Sequence, residues 1–341
     1  MRLPGRASWP RRPRGRAFRP ALSAWIVLAV VACGRTGNAP PAPDAGGTAS
    51  SATEACRTFA EAACSKRDIC GQLDIAIGFG SLDTCQVATR ADCERRLGAP
   101  GSAMTAASTL ACAQSLPELA CDRFRAGRLP DSCLHPRGSL DAGAPCIFDD
   151  QCASGTCTST RLDGCGTCDS KVAAKEGQAC TDETPCEAPL ACVGGACTTL
   201  RIQDESCDAS HPCAGGWTCA SSKCARGAGL DAPCGGEGGP SCDTTSGLVC
   251  DPAANRCRRL VVASNGRPCG RVGESLVLCD QGGTCHEGAD GTSTCVDPVE
   301  FGGECHTLPT QHCRPPSTCN GSNRCQVVGP KDCPTTAASV P

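Results

Sequence analysis

The chain contains no tyrosine, and phenylalanine and tryptophan together contribute only six and three residues to its 341. Aromatic side chains supply much of the contact area in an ordinary interior, so a single large hydrophobic core is excluded for a chain this long. Basic charge is also scarce once the N-terminus is set aside. Seven of the 32 Lys and Arg residues fall within residues 1–20, where no acidic residue occurs. Without that segment 25 basic residues face 35 acidic ones, a net charge of −10. Phosphate contacts need clustered Lys and Arg, so this balance argues against nucleic acid as a partner and against a polybasic membrane-binding surface. The apolar stretch Ala21–Val31 is the only candidate for membrane insertion, and it falls short of the roughly 20 residues of a permanent span.

The arginine-rich start opens the pattern of an export signal: a basic region, a short apolar core, then small residues. Val30-Val31-Ala32-Cys33-Gly34 resembles the lipobox of bacterial lipoproteins. The resemblance implies cleavage after Ala32 and acylation of Cys33, leaving 309 residues tethered by lipid and placing them outside the cytoplasm. Residues 33–53 are rich in Pro, Ala, Gly and Ser without periodicity, the composition of a flexible tether.

Cysteine decides the class. Of 35 cysteines, 34 remain beyond Cys33, an even number and about 11% of the exported chain, above the range that marks a disulfide scaffold. In an oxidising compartment thiols at this density form bridges. Several small stapled units then replace one large core.

Residues 54–134 are poor in glycine and helical in pattern. Cys56, Phe59, Ala60 and Ala63 recur at helical spacing, as do Leu82, Cys85, Ala88 and Ala91. Ser81 with Asp83 marks a start and Gly98 with Pro100 a stop. Two further helical stretches are expected near 102–114 and 117–126. Cys56 and Cys64 are eight residues apart, as are Cys85 and Cys93, and eight residues return to within about 80° of the same helix face. Two antiparallel helices are therefore expected to be joined as Cys56–Cys93 and Cys64–Cys85. Cys70, Cys112, Cys121 and Cys133 complete an eight-cysteine, all-α domain.

From residue 143 to 333 the chain repeats with a period of 27–36 residues. Six Gly-rich, polar units each carry four core cysteines. Cys180, Cys186, Cys192 and Cys197 form the second set and Cys207, Cys213, Cys219 and Cys224 the third, with identical spacing. The fourth (Cys234, Cys242, Cys250, Cys257), fifth (Cys269, Cys279, Cys285, Cys295) and sixth (Cys305, Cys313, Cys319, Cys325) have longer loops. The first begins with Cys146, Cys152 and Cys157; Cys165 is its expected fourth member and Cys168 an extra. Cys333 is expected to pair with Cys168 or another leftover cysteine. In Leu190-Ala191-Cys192-Val193-Gly194-Gly195-Ala196-Cys197 a two-residue turn sets Cys192 opposite Cys197 across a β-hairpin. Opposed cysteines can both reach back, so first-to-third and second-to-fourth bridges are favoured. Leu190, Trp217 and Leu248, two residues before the third cysteine, are the expected apolar caps. Residues 334–341 read as a disordered tail.

Gly143-Ala144-Pro145-Cys146 with Asp150-Gln151-Cys152-Ala153-Ser154-Gly155-Thr156-Cys157 carries a likeness to a known family. On these residues the region 143–333 resembles the Dickkopf N-terminal cysteine-rich family in a bacterial lipoprotein setting. The resemblance implies extracellular recognition of a protein and names no receptor.

Catalytic and metal chemistry finds little support. The one C-x2-C, Cys165 to Cys168, has no second close pair to make a four-ligand zinc site and no βαβ context for a redox motif. No metal or cofactor is expected. The histidines His135, His211, His286, His306 and His312 share no helical spacing, and neither G-x-S-x-G nor a P-loop occurs. Asn320-Gly321-Ser322 fits a glycosylation acceptor but reads as a turn. The sequence therefore points to a non-enzymatic, surface-anchored module that binds protein or glycan or serves as a spacer. The alternatives are a secreted-type inhibitor, for example of proteases, and a thiol redox protein.

Overall fold

The structure, a computed structural model, describes residues 49–333 apart from 72, 135–136, 159–164, 182–183, 188, 236–239, 289, 306–311, 315–316, 321, 328 and 330–332. The proposed leader, Cys33 and residues 334–341 lie outside the described residues.

An all-α domain comes first, with α1 (Ala49–Cys70), α2 (Asp74–Gly78), α3 (Leu82–Leu97), α4 (Ala106–Ser115) and α5 (Cys121–Arg125). Helix α1 begins at Ala49, so residues 49–53, which composition assigns to the tether, are helical instead. Ser81 caps α3 by accepting from the Thr84 amide, and α3 ends at Gly98. Thr105 and Ser108 cap α4 reciprocally, satisfying two of its free amides. The short α2 has no counterpart in the sequence expectations. Helices α1 and α3 are joined by Cys56–Cys93 and Cys64–Cys85, Cys70–Cys121 ties α5 to the end of α1, and Cys112–Cys133 ties α4 to the turn at Asp131–Cys133. Small residues let the helices approach: Ala63 packs with Cys112, Leu116, Leu119 and Cys133 beside Phe59 and Phe124.

Six small β-units come after it. The first holds β1 (Pro145–Cys146), β2 (Cys157–Thr158) and β3 (Gly166–Cys168). The second and third are the hairpins β4 (Ala191–Val193) with β5 (Ala196–Thr198) and β6 (Trp217–Ala220) with β7 (Lys223–Arg226). The fourth holds β8 (Leu248–Asp251) and β9 (Arg256–Ala263). The fifth holds β10 (Gly270–Val272), β11 (Ser275–Cys279), β12 (Thr284–Glu287) and β13 (Ser293–Val296), and the sixth β14 (Thr318–Cys319) and β15 (Cys325–Gln326). An extra hairpin, β10 with β11, fuses the fourth and fifth units, because β11 pairs in parallel with β9.

All six units share one backbone frame. The third and fourth cysteines stand opposite each other in the hairpin, as Cys192 does to Cys197 and Cys219 to Cys224. The residue six before the first cysteine pairs in parallel with the second: Leu140 with Cys152, Ala174 with Cys186, Arg201 with Cys213, Ala228 with Cys242, Ala263 with Cys279, Val299 with Cys313. Three residues before the first cysteine the chain turns with positive φ, at Gly177 (φ 78°) and Asp204 (φ 64°) for example, and that amide donates to the fourth cysteine's carbonyl. Only Gly, or Asp and Asn at some cost, takes this conformation readily.

Bridges run first to third and second to fourth throughout. Cys180–Cys192 with Cys186–Cys197, and Cys207–Cys219 with Cys213–Cys224, are the two sets of identical spacing. The other units obey the same rule. Each such bridge closes 11 to 16 residues, worth roughly 3 kcal/mol in the chain-entropy account. The bridges are also the core: Cys180 and Cys197 are buried with Ala174, while Leu190 packs at their edge. The first unit corrects the sequence assignment. Cys168 is its fourth core cysteine, bonded to Cys152, and Cys165 is the extra one, bonded to Cys333. The register explains this, since Pro145 pairs with Thr167 and so places Cys168 where Cys197 stands in the second unit.

Candidate functional site

The first, third and fifth units contact the helical domain. The guanidinium groups of Arg95 and Arg96, at the end of α3, lie 5.1 and 4.5 Å from the ring centroid of Phe148 in the first unit. The Gln151 side-chain amide donates to the Pro100 carbonyl at 2.9 Å. Arg128 grips Glu205 of the third unit with two hydrogen bonds of 2.7 and 2.8 Å. Beside it Trp217 is buried with Ala126, Ile202 and Ala214, so this cap packs against the helical domain as well as its own unit. In the fifth unit the Gln281 and Gly282 amides donate to the Ala76 and Ile77 carbonyls of α2, at 3.0 and 2.6 Å. The sixth unit contacts the fifth through His312 Nε2 and the Gly282 carbonyl, 2.9 Å apart, and through Arg314 donating to Gln281 at 2.8 Å. Cys165–Cys333 then ties the chain beyond the sixth unit to the first. The array is thus a closed circuit braced by the helices.

The chemistry such a body can present is limited by its sulfur. All 34 described cysteines lie in seventeen disulfides, so the groups of three sulfurs that cluster within 4.8 Å are bridge atoms and not thiolate ligands. Cys165 and Cys168, which the sequence placed in the one C-x2-C, bond different partners, which removes the geometry both a zinc site and a redox dithiol would need. The described histidines do not converge. His211 Nδ1 lies 3.1 Å from Asp208 within a turn, and His312 serves the contact between the fifth and sixth units. Asn320 uses its side-chain oxygen to accept from the Ser322 and Arg324 amides, which makes it a turn residue.

Asp150 is the most distinctive charge. It is buried, both carboxylate oxygens lack a hydrogen-bond partner, and Arg96 stands 3.6 Å away. Burial pushes its carboxyl above the usual range, with Asp149 and Asp92 adding to the effect and Arg96 opposing it. Glu205 moves the other way, held low chiefly by Arg128. Asp149 accepts from the Cys157 amide at 2.7 Å, so the Asp149-Asp150 pair is divided between a turn and an ion pair. A shallow surface depression lies along β3, lined by Gly143, Thr158, Thr167, Asp169 and Ser170 among others. Asp169 is the one ionisable side chain among its lining residues.

No protein-family model matches the chain, and no curated protein or solved structure matches it either. The disulfide density suits an oxidising, extracytoplasmic compartment. Among the described residues no helix is long and apolar enough to cross a membrane.

Proposed function

We propose that this protein is a cell-surface-anchored, non-enzymatic cysteine-rich lipoprotein whose Dickkopf-like repeats serve as a rigid protein- or glycan-binding module. One observation carries the reading: the same backbone frame, with the same two bridges, is built six times from units whose loops differ in length and side chains. A frame held by backbone bonds and sulfur leaves its loops free to carry recognition, which is how binding scaffolds divide labour between rigid elements and variable loops. The acidic exported chain points to protein or glycan partners before nucleic acid. Anchoring is assigned to acylated Cys33, because the lipobox-like Val30-Val31-Ala32-Cys33 precedes a stretch with no other apolar anchor.

The test is Cys33→Ala in cells fed labelled fatty acid. Labelling is lost and the protein leaves the membrane fraction; a variant that still sediments with membranes refutes the anchor. Binding is read separately, with the purified exported chain on arrays of surface proteins and polysaccharides. Saturable binding that survives scrambling of every inter-cysteine loop would refute loop-borne recognition.

A further inference from the structure

We infer that the Cys165–Cys333 bridge is a strap that keeps the repeat array attached to the anchored end of the chain after the backbone has been cut. The other sixteen bridges are local. Twelve lie inside single repeat units and close 11 to 16 residues, and four lie inside the helical domain and close 21 to 51. None of them crosses from one unit to another. A single hydrolysed peptide bond in any connection between units would therefore leave the downstream units held by non-covalent contacts alone. Cys165–Cys333 spans 168 residues and makes the whole stretch a covalent loop, so one cut opens the loop without separating it.

Its placement fits that role. Cys165 belongs to the unit that docks on the end of α3, and α3 is bonded twice to α1, the helix that the N-terminal segment leads into. The strap thus returns the far end of the array to the end nearest the tether. The sixth unit gains most. Its own core is Val299 with cysteines, Phe301 beside it is 70% exposed, and among the described residues His312 and Arg314 hydrogen-bond it to the fifth unit. The bridge itself is sheltered: Cys165 and Cys333 are 3% and 7% exposed, and the Cys333 sulfur sits 3.8 Å from the Cys146 carbonyl oxygen. External thiols reach buried sulfur slowly, so this is a fastening made to persist and not a redox switch.

The experiment uses the exported chain carrying an affinity tag in place of the lipid, so that its outcome does not depend on whether Cys33 is acylated. A recognition site for one sequence-specific protease is inserted between Ser264 and Asn265, both exposed. A site for a second protease is inserted after Val327, between the sixth unit and Cys333. Cut with the first protease on an affinity resin, the chain keeps its downstream fragment even in urea and releases it on adding dithiothreitol. Cut with both, it releases the fifth and sixth units in native buffer, with every cysteine as nature placed it. Loss of the fragment into urea after the first cut alone shows that the bond is absent. Retention after both cuts in native buffer shows that the contacts suffice and the strap is redundant. Either result overturns the inference. Cys165→Ser with Cys333→Ser should reproduce the double cut with the first protease alone.

Discussion

Asp150 stands between two opposed effects, and their sizes decide what it does for the fold. A carboxylate removed from water without hydrogen bonds is costly, and an ion pair at 3.6 Å without one recovers part of that cost. Arg96 does not depend on Asp150, since it keeps a 2.8 Å hydrogen bond to Asp92 and the Phe148 ring. Desolvation therefore wins, in keeping with the upward displacement of the Asp150 carboxyl. The folded state then binds this proton more tightly than the unfolded chain does. Its contribution to stability falls as pH rises from the ordinary aspartate value through the raised one, and the penalty is complete above it. Asp150→Asn should stabilise the protein at pH 7 by about 1 kcal/mol, and the gain should shrink on acidification. Thermal unfolding of both proteins between pH 4 and pH 7 checks this. An earlier transition for the variant at neutral pH would mean that the ion pair outweighs burial.

Between elements, the joint of Arg128 with Glu205 is the clearest strut from the helical domain to the array. Both contacts of its planar fork reach one carboxylate, which a lysine cannot reproduce. Arg128→Ala should speed amide hydrogen exchange at the Trp217 hairpin by roughly tenfold or more, since a charge-assisted pair of this kind contributes about 1.5–3 kcal/mol. Arg128→Lys should restore little of the protection, and full rescue by lysine would reduce the joint to simple charge. This strut could not be read from the sequence, because Arg128 and Glu205 are 77 residues apart and no periodicity links them. Local geometry was legible. The eight-residue spacing on α1 and α3 implied two bridges that the structure contains, and the Gly-Gly turn implied the opposition of Cys192 and Cys197. The first unit failed for a reason of the same kind: a long insertion between Cys157 and Cys168 left spacing unable to choose between Cys165 and Cys168. The choice is made by the pairing of Pro145 with Thr167, a contact between strands. The closed circuit turns on the same choice: with eight helical and twenty-four core cysteines assigned, one of Cys165 and Cys168 is left for Cys333, and the register that gives Cys168 to Cys152 leaves it Cys165.

For the molecule as a whole, sulfur and helix divide the work of holding it together. The repeat units have strands of two to eight residues, and their buried side chains are mainly the cysteines themselves. At about 30 residues each they lie below the size at which a chain folds without staples. The helical domain also uses four bridges, but it contains one helix of 22 residues and one of 16, with Leu116, Leu119, Phe59 and Phe124 packed between helices. An amphipathic helix can still collapse on such a face when its bridges open. Full reduction of the intact protein should therefore abolish protection throughout 143–333 and leave measurable helix in 49–134. Circular dichroism reads the residual helix, and hydrogen exchange with peptide resolution assigns it to the sequence. Repeats that kept their protection with every disulfide open would require a source of stability other than sulfur. The contacts with α2 and α3 would then be the place to look, because Ala76, Ile77, Arg95 and Arg96 join two separate units to the helical domain.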